Sequence, residues 1–303
     1  MEKVKSPLTL NDNVSFIRSI KIQEIISQYK IYNIDTSKYF EGLHEISLYR
    51  CDESGYRFYY PNIVAGDSIF YQHFQDFDWY YMPWKWEHEI TTQYLKDGMK
   101  ILEVGCAHGA FLQRINELFD LDTSIGLELN ESTPVVNKKW QIVNKYVQEF
   151  AKNHLGEFDL VCSYQVLEHI SNVHSFIESN IACLKQGGKL IISVPNNDSF
   201  IKDLDAALNK PPHHMGLWTK DSLISLSKIF PIKVLKVHLE DLKSYHVDNY
   251  IWSQKYSKGN KLFNKIKRKI EILIGSYSKI KAKTLENRKT IVGHTILIVF
   301  EKL

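Results

Sequence analysis

Between residues 100 and 240, short apolar runs alternate with stretches whose apolar residues recur every three or four positions. Ile101, Leu102 and Val104 form a run suited to a strand buried on both faces of a parallel sheet. Phe111, Leu112 and Ile115 follow as the buried stripe of a helix. Ser124–Leu129 reads as a second strand. A helix is predicted over about 132–144, and Lys145–Phe150 as a short third strand and its exit. Phe158–Ser163 is the fourth strand, running through Tyr164–Ile170 into a helix that reaches Leu184 and ends at Gly187-Gly188. Lys189–Val194 is the fifth, closed by Pro195-Asn196-Asn197. A loop holding Pro211-Pro212-His213-His214 leads to Thr219, a natural cap for a helix over Lys220–Lys228. Val234–Val237 and Ile291–Phe300 supply two more strands. The alternation predicts an α/β fold with a doubly wound parallel sheet.

Outside this stretch the rhythm changes. Residues 14–30 carry helical spacing (Val14, Ile17, Ile20, Ile25, Tyr29), and the aromatic-rich segment Tyr49–Pro61 suits a short hairpin. A zinc ribbon would need a second cysteine where Ser54 stands, and one thiolate does not hold a tetrahedral zinc. Trp79–Glu89 packs aromatics densely before the first sheet strand, either as a wall over a ligand or as core. Leu262, Phe263, Ile266, Ile270, Leu273, Ile274, Tyr277 and Ile280 give 258–289 the pattern of an amphipathic basic helix, suited to an anionic lipid surface, an acidic substrate or packing as a lid. The expected division is an N-terminal extension over 1–78 and a ligand-binding domain over 79–303 with a helical insertion at 241–290.

Charge sharpens the picture. The net charge is only +3, yet 255–289 holds twelve Lys and Arg against two acids, which leaves −7 on the rest. An acidic body argues against a dedicated nucleic-acid binder. Four scattered cysteines suggest no disulfide framework, no apolar run approaches the length of a membrane span, and the N-terminus lacks a signal peptide's apolar core. The expectation is a cytoplasmic protein with peripheral inner-membrane contact as an added option.

The first strand ends in Glu103 and turns through Gly105-x-x-x-Gly109 with Ala107 between them. A pyrophosphate on the following helix would need the G-x-G-x-x-G spacing and no carboxylate at the turn. Glu103 favours instead a cationic ligand bearing an amino group, a description S-adenosylmethionine fits. Glu128, 25 residues on, closes the second strand where a carboxylate accepts ribose hydroxyls.

Together, Glu103-x-Gly105-x-x-x-Gly109, Glu128, Phe158-Asp159-Leu160-Val161, Leu167-Glu168-His169-Ile170 and Leu184–Leu190 resemble the class I S-adenosylmethionine-dependent methyltransferases. The string Val161–Ile170 and the Pro211–Thr219 loop resemble a bacterial branch linked to sugar and surface-glycan O-methylation. The resemblance implies a seven-stranded Rossmann-like sheet whose last strand is antiparallel. It places Glu103, Gly105, Cys106, Ala107 and Gly109 at the methionine end, Glu128 and Leu129 at the ribose, Gln148, Glu149 and Phe150 around adenine, and Tyr164 nearby. Tyr81, Trp84, Trp86 and Trp218 are candidate acceptor contacts. His169, His213 and His214 compete as the base for a hydroxyl acceptor. Metal-assisted methyltransferases carry paired aspartates where Ser163-Tyr164-Gln165 stands here, so no metal is expected. The expected function is O-methylation of a sugar in a nucleotide sugar or surface polysaccharide. N-methylation of an amino sugar or small amine, or a non-catalytic adapter in a membrane glycan-assembly complex, are the alternatives.

Overall fold

The computed structural model describes residues 3–74, 77, 80, 82–129 and 139–303. Its strands are β1 (Val14–Lys21), β2 (Glu45–Cys51), β3 (Arg57–Tyr60), β4 (Lys100–Val104), β5 (Thr123–Leu127), β6 (Trp140–Val143), β7 (Phe158–Tyr164), β8 (Leu184–Pro195), β9 (Gly216–Leu217), β10 (Ile232–Asp241) and β11 (Val292–Lys302). The larger sheet runs β10-β11-β8-β7-β4-β5-β6, parallel throughout except that β11 is antiparallel to both neighbours. This is the seven-stranded doubly wound arrangement expected, with the last strand reversed. Chain order turns back between β4 and β7, so a crevice opens at their carboxyl ends, where such sheets bind ligands. Ile101, Leu102, Leu160, Val161, Ile191 and Ile192 fill the central strands and are buried, as two-sided coverage requires.

A smaller antiparallel sheet, β1-β2-β3-β9, carries the N-terminal extension. The predicted hairpin over Tyr49–Pro61 is β2–β3. Residues 14–30 are not one helix: Val14–Lys21 pairs with β2, and the helix is confined to Ile22–Tyr29. Val14, Ile17 and Ile20 are β-branched and sit on an edge strand, where ladder hydrogen bonds outweigh a helical rhythm. The sheet is not complete within residues 1–78. Its fourth strand, β9, comes from the loop after β8 and pairs with Arg57 and Phe58.

Two further expectations change. The third parallel strand is Trp140–Val143, and Val147–Phe150 is a short helix. Of the helix expected over about 132–144, residues 132–138 lie outside the described residues, and the remainder contains β6. The basic insertion lies between β10 and β11 as predicted, but as separate helices at Val247–Lys255, Lys261–Leu273 and Ser276–Asn287. Gly275, at φ +75°, breaks the run that the spacing reads as continuous.

Candidate active site

The crevice begins at the turn after β4. Gly105, Ala107 and Gly109 all have positive φ, so the chain curls tightly before the helix Ala110–Leu118. A Cβ at Gly105 would lie 2.4 Å from Val166 Cγ2, because the turn after β7 packs against it. Glu128 stands at the lip: its Oε2 accepts from the Ala107 N–H at 2.9 Å and its Oε1 from the Leu129 N–H at 2.8 Å. Each carboxylate oxygen has a second acceptor direction, so a diol has acceptors here too. Cys106 is buried under the turn against Gly126, and burial drives its thiol far above the usual range.

Glu103 lies 4% exposed below this turn, and its Oε2 has no hydrogen-bond partner among the described residues. Burial, and then the charge of Glu128, push its carboxyl up to about 8, against a smaller opposing pull from Lys85. An unpartnered carboxyl oxygen beneath curled backbone is a natural seat for a cationic amino group. The residues present therefore fit S-adenosylmethionine, with the ammonium at Glu103 and the ribose at Glu128.

The remaining cofactor candidates divide. Gln148 and Glu149 lie on the helix after β6 rather than on a strand exit, so topology places Asn144–Tyr146 at that strand's carboxyl end. Phe150 is not an adenine wall: it is buried and stacks on His154 at 3.9 Å. Tyr164 is buried, and its hydroxyl donates to Thr91 Oγ1 at 2.9 Å, so its side chain is committed to packing. Trp218 is likewise core, fully buried and tilted against Tyr56 at 4.2 Å. Trp84 and Trp86 are half-buried against the cluster around Phe111, with Trp84 stacked on Phe111 at 6.1 Å. Tyr81 lies outside the described residues.

The three candidate histidines, distant in sequence, meet. His169 ends the short turn after β7, whose Val166 touches Gly105. His213 and His214 come from the loop before β9, tied to that turn by Met215 N–H donating to the Glu168 carbonyl at 2.8 Å. Ring centroids are 4.6 Å apart for His169–His213, 5.0 Å for His169–His214 and 4.5 Å for His213–His214. His169 Nδ1 donates to the His213 carbonyl at 2.6 Å and His213 Nδ1 to the Leu208 carbonyl at 2.8 Å. His214 Nδ1 faces Asn209 Oδ1 at 3.1 Å. Burial pushes His169 down to about 4, though the carbonyls of His213 and Gln165 oppose it, and holds His213 and His214 well below the usual range. All three are neutral at pH 7.

Of two carboxyls that the sequence reading did not single out, Glu87 and Glu240, Glu87 acts electrostatically on both Glu168 and Glu240. Glu87 and Glu240 are buried with Glu168. Burial raises Glu87, and pushes Glu168 up to about 8 and Glu240 up to about 7, with Glu87 adding to both rises. Glu168 Oε2, like that of Glu103, has no partner among the described residues. The only sequence signal for Glu87 was an acid closing the aromatic run.

Residues 79–231, half of the chain, match a family described as a methyltransferase domain. The chain is 29% identical over 137 residues to a probable S-adenosylmethionine-dependent methyltransferase of Mycolicibacterium smegmatis, a match covering 43% of this chain and 52% of that protein. It is 31% identical over 108 residues to the mitochondrial ubiquinone biosynthesis O-methyltransferase of Rattus norvegicus, covering 33% and 31%. It thus spans about half of the first relative's length and a third of the second's. A crystal structure of an S-adenosylmethionine-dependent methyltransferase from Archaeoglobus fulgidus aligns with a TM-score of 0.48 at 18% identity, over 71% of this chain and 90% of that one.

Proposed function

Because the chain belongs to the methyltransferase-domain family, with S-adenosylmethionine as its cofactor, we propose that it methylates a hydroxyl of a sugar, in a nucleotide sugar or a surface polysaccharide. The cofactor supplies an activated methyl on a sulfonium, so the chain's task is to align the acceptor, exclude water and handle its proton. The observation that carries this reading is the meeting of His213 and His214, from the loop before β9, with His169 of the turn that packs against Gly105. Their neutral rings, those of His213 and His214 buried and that of His169 partly exposed, give a hydroxyl a polar seat beside the cofactor turn. The test is release of S-adenosylhomocysteine against a panel of nucleotide sugars and oligosaccharides. His169→Ala is expected to lower turnover by roughly 10²–10⁴-fold with S-adenosylhomocysteine binding unchanged. Near-normal turnover in all three His→Ala proteins would move the proton to another group.

A second reading, N-methylation of an amino sugar, draws on Glu87, Glu168 and Glu240, since buried carboxyls suit an amine. Preference for amino sugars in the same panel, with Glu87→Gln more damaging than His169→Ala, would favour it.

We also propose that the protein works against an anionic lipid surface. The helix Lys261–Leu273 is amphipathic in the reverse of the usual sense. Its polar face holds the protein: Asn264 donates to the Tyr256 carbonyl at 2.8 Å, Arg268 packs over Trp252, and Glu271 accepts from Lys255 at 3.1 Å. Leu262, Phe263, Ile266, Ile270 and Leu273 face solvent. At 100° per residue, exposed Lys265 and Lys269 border this stripe on one side and Lys267 on the other. A cation-flanked apolar stripe complements an anionic bilayer interface in charge and polarity. No helix among the described residues is long and apolar enough to cross a membrane.

A further inference from the structure

We propose that His169, His213 and His214 form a binding site for a divalent transition-metal ion of the zinc class, open to an acceptor oxygen. One ring nitrogen from each lies within 4.8 Å of the others; His213 and His214 are buried, and His169 is partly exposed.

Tautomers come first. A carbonyl only accepts, so the Nδ1 atoms of His169 and His213 carry their protons. His214 is fixed through a relay. Asn197 Nδ2 donates to the Pro195 carbonyl at 3.2 Å, Asn209 Nδ2 donates to Asn197 Oδ1 at 3.0 Å, and Asn209 Oδ1 is thereby turned to accept from His214 Nδ1. All three Nε2 atoms are then lone-pair atoms. The Tyr80 hydroxyl donates to His213 Nε2 at 2.8 Å, which agrees with this assignment, and that bond is given up when an ion binds there. Imidazoles whose Nδ1–H is held by a protein oxygen are oriented as metal-ligating histidines characteristically are.

The donor set selects the ion. Three neutral imidazoles with no thiolate suit zinc, cobalt, nickel or copper, and not magnesium or calcium, which take oxygen ligands. Zinc–nitrogen bonds of about 2.0–2.1 Å set nitrogens about 3.3 Å apart in a tetrahedron, so the rings close in from their present spacing of up to 4.8 Å when an ion binds. A dication in a largely buried site also needs negative charge beside it. Glu168 supplies a carboxyl with Oε1 3.9 Å from His169 Nε2 and Oε2 without a partner among the described residues. Three protein nitrogens leave a fourth position, as in catalytic rather than structural zinc sites, and an acceptor hydroxyl can fill it. The inference deepens the reading of this cluster as the acceptor's proton-handling site, yet metal binding stands or falls without any acceptor.

The test uses the full chain, stripped with chelator and titrated with Co²⁺ under visible absorption and with Zn²⁺ by calorimetry. One ion per chain with the intense absorption of a tetrahedral cobalt–histidine site, displaced by Zn²⁺, is the expected result. His214→Gln should abolish it. Asn209→Ala, which frees the relay but keeps all three rings, should weaken affinity by about 10–100-fold. S-adenosylhomocysteine binding reports that each protein is folded. A folded wild-type protein without the cobalt spectrum overturns the inference, as does a spectrum that persists in folded His214→Gln. Should a variant fail to fold, the wild-type titration alone decides. Metal binding without turnover on any sugar would instead count against the acceptor and leave the site standing.

Discussion

Glu103 is protonated at neutral pH before a ligand arrives, since its carboxyl lies at about 8 with burial as the chief cause. A cationic amino group favours the ionised form, so binding below pH 8 must expel a proton. Affinity for S-adenosylhomocysteine should therefore rise from pH 6 to 8, by up to about tenfold per unit, and level off above. Calorimetry across that range reads it directly. Glu103→Gln should bind weakly with a flat profile, and a flat wild-type profile would remove the ammonium from Glu103. Gly105→Val should not bind in the same assay, because its Cβ collides with Val166 at a φ of +81°. The turn was legible residue by residue because its chemistry is local: a carboxylate, two glycines and a second acid at fixed spacing. Trp218 and Phe150 were misread for the opposite reason. Both are aromatics beside the expected site, and only the fold shows that Tyr56 and His154 cover them.

Among the elements, the central parallel strands β4, β5, β7 and β8 were the most readable because they are largely buried on both faces and so read as mostly apolar runs. β1 and β6 were less so. β1 is an edge strand with mostly exposed residues, and four-residue β6 adjoins residues outside the description. The basic insertion was recognised by its spacing and charge, but spacing does not say which face meets the protein. Asn264, Arg268 and Glu271 decide that, and they turn the apolar stripe outward. Each lysine near an anionic surface adds about 1 kcal/mol, screened beyond a Debye length. Sedimentation with anionic vesicles should therefore carry the protein down at low salt and release it at high salt, with neutral vesicles failing to do so. Ile266→Asp with Ile270→Asp should abolish binding while leaving the docked polar face intact. Equal binding to neutral vesicles, or none to either kind, would defeat the lipid proposal.

At the scale of the whole molecule, the two sheets meet at the loop that carries His213 and His214. The extension supplies Tyr29, whose hydroxyl donates to the Lys210 carbonyl at 2.9 Å, and Tyr59, which donates to the Asn209 carbonyl at 2.9 Å. Tyr71 donates to the His213 carbonyl at 3.2 Å, and Phe70 and Phe74 lie within 6.1 and 5.1 Å of the His213 ring. β9 locks the same loop into the small sheet. The proposed acceptor side of the crevice thus rests on the extension, whereas the proposed cofactor side is built by β4 and β5. A defect in one should spare the other. Phe70 is fully buried, touches Tyr29, Tyr39 and Phe74, and lies in the extension, remote in sequence from the cofactor turn. Phe70→Ala should cost about 3–5 kcal/mol of local packing. Hydrogen exchange should then quicken in 22–74 and 207–217 while β4, β5 and β7 stay protected. S-adenosylhomocysteine affinity should change less than threefold, and cobalt binding at the histidines should weaken by at least tenfold. Uniform loss of protection and of both ligands would mean that the two sheets unfold as one unit, and that the extension is core to the fold rather than a scaffold for the acceptor.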